Sequence, residues 1–293
     1  MCLTRHIGGW WTALVAVTAW AAGCSAPVEP ARAAKAETSS ASHATTSVSE
    51  TAAAPSAPLA PPASEPDADR GETTALDVPG FEPAVLVEPP KRRGRAPVLV
   101  VGHGAGGRPE PHCERYADIV KGRGFVLCTR GHVANRYLPF EERGYYYDGH
   151  IELGKEVESA LAALSRRYPD RVDLERPLYA GFSQGAAMGI LYFEQGGAKK
   201  TGMRGILMVD GGAELFNVGV ATKLRAAGME RVAIVCGQAS CQRGARRSVP
   251  WIRQAGVEAF NAYARGAGHT TGGAVAPLVE EAWTFLTEGD ARW

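Results

Sequence analysis

The chain has 293 residues, 22% of them charged, and its formal net charge at pH 7 is +1. Proteins that bind nucleic acid carry a marked excess of Lys and Arg, so this balance predicts no nucleic-acid partner. The sequence also has no internal repeat, no nucleotide-binding glycine fingerprint and no zinc-ligand spacing, and it predicts neither a metal nor a cofactor.

The N-terminus has the pattern of an export signal. Residues 10–22 form an apolar run that is too short to span a membrane. The sequence Ala-Ala-Gly-Cys at residues 21–24 resembles the lipobox of bacterial lipoproteins, with Ala21 where leucine is usual. The resemblance implies that residues 1–23 are a signal peptide and that Cys24 becomes the lipidated first residue of the mature protein. Simple secretion after nearby cleavage is the alternative.

A disordered linker is predicted over residues 24–76. This segment is rich in Ala, Ser, Thr, Pro and Glu and has almost no large apolar residues, so it cannot offset the entropy lost on ordering. A flexible chain of about 50 residues has a root-mean-square reach of about 40 Å. We therefore expect a folded domain, residues 77–293, held at the bacterial cell envelope, facing the periplasm or exterior, with the N-terminal lipid as its only membrane contact.

The folded segment alternates short apolar runs with amphipathic stretches. Apolar residues recur at helical spacing in residues 153–164 and 275–286. This alternation predicts an α/β domain with a mostly parallel sheet and helices on both of its faces. The strand candidates are residues 84–87, 98–101, 126–129, 178–181, 206–209, 232–236 and 257–264.

Two loops in the first half of the domain are candidate parts of a site. Residues 102–107, Gly-His-Gly-Ala-Gly-Gly, follow a predicted strand, and glycines let a backbone approach a bound substrate closely. His103 is interpreted as a structural histidine of this loop. Tyr145 and Tyr146 precede a predicted helix, and their rings are candidates for stacking on an aromatic or sugar ring. Packing within the loop is the alternative for the tyrosines.

A serine lies between a predicted strand and a predicted helix. Residues 181–185, Gly-Phe-Ser-Gln-Gly, contain the pattern Gly-x-Ser-x-Gly, in which a sharp turn lifts the serine hydroxyl clear of the sheet. Taken alone, the pattern also fits an ordinary glycine-rich turn. His269 lies in a loop before the last helical segment, so the order is Ser183 and then the histidine.

These loops, in this order, resemble those of the α/β-hydrolase superfamily, in particular its dienelactone-hydrolase-like and small secreted esterase branches. The resemblance covers about residues 77–293. It implies that Ser183 is a nucleophile and that His269 is its general base and acid. It also implies an oxyanion hole formed by the amide of Gln184 and by an amide near Ala105. In this fold the loop of Tyr145 and Tyr146 lies near the rim of the substrate pocket, and His132 is a further candidate for that rim.

The acid of the family's triad is missing from its common position. Residues 232–257 contain no Asp or Glu, although the family commonly has an aspartate near position 240. Asp210, at the end of a predicted strand, is the best substitute, and Glu214 is a weaker one. A dyad in which Gln238 or Ser240 orients the histidine is the third possibility.

Four cysteines lie in the domain, at positions 113, 128, 236 and 241. Export to an oxidising compartment predicts two disulfides. Local pairing would join Cys113 to Cys128 and Cys236 to Cys241, although the sequence leaves three connectivities open. Free buried thiols are the alternative.

The sequence predicts a serine hydrolase that cleaves a carboxylic ester, or a related acyl bond, in a small-molecule or polymeric substrate through an acyl-enzyme. The alternative is a non-catalytic envelope lipoprotein of the same fold that binds a ligand or a partner. The missing acid motivates that alternative, whereas the retained serine, histidine and glycine loop favour the enzyme.

Overall fold

The computed structural model describes residues 71–90 and 94–293. The predicted signal peptide, Cys24 and most of the predicted linker lie outside the described residues. Within the described part, no helix combines the length and the hydrophobicity that crossing a bilayer requires.

One sheet forms the centre of the domain. Its strand order is β1-β2-β4-β3-β7-β8-β9-β10, and every strand except β2 runs in the same direction. A separate two-residue ladder joins β5 to β6. The strands are β1 (Thr73–Leu76), β2 (Ala84–Val87), β3 (Ala96–Gly102), β4 (Phe125–Cys128), β5 (His132–Val133), β6 (Tyr145–Tyr146), β7 (Val172–Phe182), β8 (Gly205–Val209), β9 (Arg231–Cys236) and β10 (Glu258–Tyr263).

Helices cover both faces of the sheet, as the alternation of elements predicts. Side chains of β3 alternate between the faces: Val98 and Val100 join one apolar cluster, and Leu99 and Val101 join the other. The first cluster contains residues of α2, α3, α5 and α6, and the second contains residues of α1 and α7. The helices are α1 (Pro109–Val120), α2 (His150–Arg167), α3 (Gln184–Tyr192), α4 (Ala198–Thr201), α5 (Val218–Ala226), α6 (Ala239–Gln254) and α7 (Ala276–Thr287).

Each predicted strand is present, but the predicted end of the linker is wrong. Thr73–Leu76, placed in the linker by its polar composition, forms β1 and pairs antiparallel with β2. Only Leu76 of this strand is buried, so the sequence carries almost no apolar signal there. The β5–β6 ladder was not predicted either, because two-residue strands are too short for a hydrophobic pattern.

Two disulfides are present, with the local connectivity. Cys113 of α1 is joined to Cys128 at the end of β4, and Cys236 at the end of β9 is joined to Cys241 in α6. All four cysteines are buried. The alternative of free thiols is therefore wrong for this structure.

Glu156 is a buried carboxyl group on α2. Its Oε1 accepts a hydrogen bond from the amide of Arg130 (2.7 Å), and the amide of Gly131 is shared between Oε1 (3.2 Å) and Oε2 (3.1 Å). Burial raises the pKa of Glu156 above its ordinary value. The protonated carboxyl therefore stabilises the fold at low pH, and that contribution is lost as the pH rises through the raised pKa of the folded state.

Glu156→Gln is expected to make stability less dependent on pH, because the amide keeps an acceptor oxygen and does not ionise. The free energy of unfolding of the variant, minus that of the wild type, should be larger at mildly alkaline pH than at mildly acidic pH. Urea unfolding at both pH values measures this difference. Glu152→Gln, on the more exposed side of the same helix, is the control. An equal effect of Glu156→Gln at both pH values would contradict the expectation.

Candidate active site

Ser183 lies in a sharp turn between β7 and α3. Its backbone has φ 52° and ψ −114°, in the left-handed half of the map, where a residue with a side chain is strained by about 1–3 kcal/mol. The flanking glycines are required by packing. A Cβ on Gly181 would lie 2.6 Å from the backbone of Ala186, and a Cβ on Gly185 would overlap the carbonyl of Gly102. This turn projects the hydroxyl of Ser183 away from the sheet.

His269 lies beside this serine, although 86 positions separate them in the chain. Its Nε2 is 2.8 Å from Ser183 Oγ, a distance at which the hydroxyl donates a hydrogen bond to an unprotonated ring nitrogen. The imidazole packs on the ring of Phe182, with centroids 4.7 Å apart. The side chain is 39% exposed, so its ring is open to solvent and to a substrate.

Asp210 follows β8 and points toward the far side of the imidazole. Its side chain is fully buried, and its Oδ1 accepts the amides of Gly237 (2.9 Å) and Gln238 (3.1 Å). Its Oδ2 has no hydrogen bond in the described structure and lies 3.9 Å from Nδ1 of His269. That separation exceeds a hydrogen bond by about 1 Å. Catalytic hydrogen bonds are often this long before a substrate binds.

The other acid candidates are less well placed. Glu214 is exposed, in a short 3-10 turn after Asp210, and makes no described contact with His269. The side chains of Gln238 and Ser240 contact each other, with Ser240 Oγ 3.5 Å from Gln238 Oε1, and neither has a described hydrogen bond to the histidine. Of the four candidates, the structure brings only Asp210 to the imidazole.

The glycine loop after β3 packs directly against Ser183. A Cβ on Gly104 would lie 3.2 Å from the Cβ of Ser183. The carbonyl of Gly104 accepts the amide of Gly107 at 2.9 Å. Because C=O and N–H point in opposite directions across a trans peptide, the amide of Ala105 points away from that bond. Within the described residues, the amides of Ala105 and Gln184 have no protein acceptor, so both are available to an oxyanion.

His103 is buried beneath this loop. Its Nδ1 lies 2.7 Å from the Gly104 carbonyl and its Nε2 lies 2.7 Å from the Arg130 carbonyl. Burial lowers the pKa of His103, and the two carbonyl contacts, which favour the protonated ring, offset part of that effect. The ring thus contacts backbone of two loops, as a structural histidine does.

The predicted pocket rim is wrong for one residue. Tyr145 is 1% exposed, and the guanidinium of Arg130 lies 5.0 Å from its ring centroid, so this ring cannot stack on a substrate. Neighbouring residues of a strand face opposite sides, and Tyr146 is accordingly 36% exposed. His132 is exposed and lies 3.3 Å from the carboxylate of Asp148. Tyr146 and His132 remain predictions for the rim.

The side chain of Gln184 has a role that the sequence did not indicate. Its Oε1 accepts the amide of Tyr147 at 2.9 Å, and its Nε2 donates to the carbonyl of the same residue at 3.0 Å. This pair of hydrogen bonds joins the segment of residues 145–147 to the start of α3. The one available signal was a polar residue of the right length directly after the serine.

A second unpredicted feature is the close approach of Gly211. A Cβ at this position would overlap the backbone of Ser183, so the loop that carries Asp210 lies directly against the serine turn. The pair Gly211-Gly212 after a predicted strand was the sequence signal for this contact. The serine and the acid candidate therefore belong to one packed unit.

The sequence matches no protein-family model, and no curated protein matches it. Several solved structures, however, are similar to this one in fold. A dienelactone hydrolase-like promiscuous phosphotriesterase from metagenomic libraries has a TM-score of 0.54 at 16% identity, covering 73% of this chain and 98% of that one. Dienelactone hydrolase from Anabaena variabilis has a TM-score of 0.51 at 15% identity, covering 74% and 95%.

Carboxyl esterase 2 from the fungus Tuber melanosporum is similar too, with a TM-score of 0.53 at 11% identity, covering 76% of this chain and 89% of that one. The likeness in each case extends over most of both chains. At these identities a likeness is evidence of fold. The chain therefore has the α/β-hydrolase fold.

Proposed function

We propose that this chain is an exported, lipid-anchored serine hydrolase that cleaves a carboxylic ester through an acyl-enzyme on Ser183. The observation that carries the proposal is the 2.8 Å contact between Ser183 Oγ and His269 Nε2, formed by a serine in a strained turn. Export and anchoring rest on the N-terminal sequence, in particular on the lipobox-like residues 21–24.

The first step is the attack of Ser183 Oγ on the ester carbonyl carbon. Nε2 of His269 takes the hydroxyl proton as the bond forms, and the imidazolium then gives this proton to the leaving alcohol. The Asp210 carboxylate, behind Nδ1, stabilises the imidazolium and orients the ring. Water then attacks the acyl-enzyme with the same proton transfers and releases the acid.

The carbonyl oxygen becomes negatively charged in each tetrahedral intermediate. The amides of Ala105 and Gln184 are the donors that we assign to it, since neither is used inside the protein. Donors that are already in place need no reorganisation during the reaction, and the loss of one such donor in an enzyme of this type costs about 10²- to 10³-fold in kcat.

A non-catalytic binding role is the second candidate function. The 3.9 Å separation between Asp210 and His269 favours it, because a site without an acid contact would leave the imidazole unoriented. Such a protein would keep the fold and bind a ligand at the surface that surrounds Ser183.

Covalent labelling separates the two functions. We expect the full chain to react with a fluorophosphonate probe at Ser183, with mass spectrometry locating the adduct on that residue. Ser183→Ala should not react, whereas Ser165→Ala, a half-buried serine on α2, should react as the wild type does. Folded protein that takes up no probe would exclude the hydrolase and leave the binding role.

A further inference from the structure

A short disulfide loop holds the acid candidate. The bond between Cys236 and Cys241 closes over residues 237–240, with the two Cα atoms 5.6 Å apart. Two amides of this loop, those of Gly237 and Gln238, are the donors to Asp210 Oδ1. One carboxylate oxygen of Asp210 and the two Sγ atoms lie within 4.8 Å of one another. The disulfide is thus packed against the carboxylate as well as against the loop.

The same loop also contacts the segment that carries the histidine. A Cβ on Gly237 would overlap the carbonyl of Gly268, the residue before His269, and would lie 3.0 Å from Asp210 Oδ2. Gly237 therefore lies where the acid and histidine segments meet. A displacement of this loop would change the Asp210–His269 separation from both sides.

Apart from the disulfide, this segment is held by the hydrogen bond that the amide of Gln242 donates to the carbonyl of Gln238 (3.1 Å) in the first turn of α6. The loop begins with a glycine, which has the widest conformational freedom of any residue. Only Gly237 and Gln238 lie between β9 and α6, because Ala239 and Ser240 already belong to the first turn of α6, and no side chain caps that end of the helix. A cross-link restricts the conformations that such a loop can adopt. In the sequence, this loop occupies the place where the α/β-hydrolase acid is commonly found.

We propose that the Cys236–Cys241 disulfide is a positioning element for catalysis. It holds the amides of Gly237 and Gln238 against Asp210, and this contact directs the free carboxylate oxygen toward Nδ1 of His269. The proposal rests on the proposed hydrolase function. It assigns to the two cysteines an effect on turnover that acts through Asp210.

The second disulfide of the chain is a matched control. Cys113 and Cys128 join α1 to β4, and β4 is separated from the serine strand β7 by β3. The Sγ of Cys113 lies 3.5 Å from the carbonyl of Val85 in β2. In the sheet, β2 pairs with the edge of β4 that faces away from β3 and β7. Both bonds are buried, but only the Cys236–Cys241 bond closes the loop whose amides bind Asp210.

The test compares two double variants in the full chain. Cys236→Ala/Cys241→Ala should lower kcat for an ester about 10- to 100-fold, as expected when a catalytic group is misplaced by about 1 Å. Its KM should stay within about threefold, because substrate binding is not removed. Cys113→Ala/Cys128→Ala should keep kcat within about twofold of the wild type. That change is much smaller than the loss expected for a misplaced catalytic group. Equal losses in both variants would overturn the proposal.

The Asp210→Asn background tests whether the effect passes through the acid. Removing the Cys236–Cys241 disulfide there should cause no further loss of kcat, because the positioned carboxylate is already gone. A general structural defect would lower kcat again by the same factor, and that result would overturn the proposal. Wild-type protein without turnover or labelling would overturn the hydrolase function itself, which is a distinguishable outcome.

A reduction experiment covers the case in which Cys236→Ala/Cys241→Ala does not fold. In the Cys113→Ala/Cys128→Ala protein, dithiothreitol cleaves the remaining Sγ–Sγ bond. Each sulfur gains one electron and one proton, while the reductant's two thiols become a disulfide. Turnover should fall while the circular dichroism spectrum stays unchanged, and reoxidation should restore it. Unchanged turnover after complete reduction would overturn the proposal.

Discussion

Ser183→Ala is expected to lower kcat for ester hydrolysis by about 10⁶-fold, and His269→Ala by a similar factor. Without the hydroxyl no acyl-enzyme forms, and without the imidazole nothing takes the serine proton as the bond to carbon forms. The double variant should be no slower than either single variant, because each of the two groups is useless without the other.

Steady-state kinetics with a chromogenic short-chain ester measure these losses, and circular dichroism shows that each variant is folded. All three variants should still hydrolyse the ester about 10³- to 10⁴-fold faster than the uncatalysed reaction in water, since the oxyanion donors and substrate binding remain. Losses that multiply in the double variant would mean that Ser183 and His269 act independently. That outcome would contradict the proposed acyl-enzyme mechanism.

Asp210→Asn is expected to lower kcat by about 10⁴-fold. The carboxamide has the shape of the carboxylate and keeps an oxygen for the amides of Gly237 and Gln238. It removes the negative charge that stabilises the imidazolium, and it favours the wrong tautomer of His269. The loss should appear in kcat with little change in KM, because Asp210 is buried and does not touch a substrate.

Glu214→Gln is the matched control for the acid. Glu214 is exposed, only four positions further along the chain, and its substitution should change kcat by less than about twofold, as is usual for a residue outside the reacting groups. If Asp210→Asn retained most of the activity while Ser183 remained reactive, the acid would be unnecessary. A dyad oriented by Gln238 or Ser240 would then be the correct description.

The sequence was sufficient for the fold and for the order of the site residues. The seven predicted strands are present, because runs such as residues 98–101 and 206–209 are buried on both faces and are therefore apolar throughout. The serine turn was predictable because its glycines are required locally, by contacts within a few residues of Ser183 and with the neighbouring strand. These signals lie in short stretches of the chain.

Four features were decided by tertiary contacts. β1 is a strand because β2 supplies its hydrogen bonds, and Tyr145 is buried because its backbone pairs with the glycine loop and Arg130 lies over its ring. The disulfide connectivity follows from which cysteines the sheet brings within bonding distance. The choice among the acid candidates depends on which carboxylate faces the imidazole, and spacing along the chain does not determine that.

The sequence by itself thus determined the α/β-hydrolase fold and the candidate serine and histidine. The tertiary structure decided their relation to Asp210. Ser183, Asp210 and Gly237 follow the neighbouring strands β7, β8 and β9, and His269 lies in the loop after β10. Because these strands are parallel, their carboxyl ends lie at one edge of the sheet. Residues far apart in the chain meet at that edge, and only the folded sheet sets the distances between them.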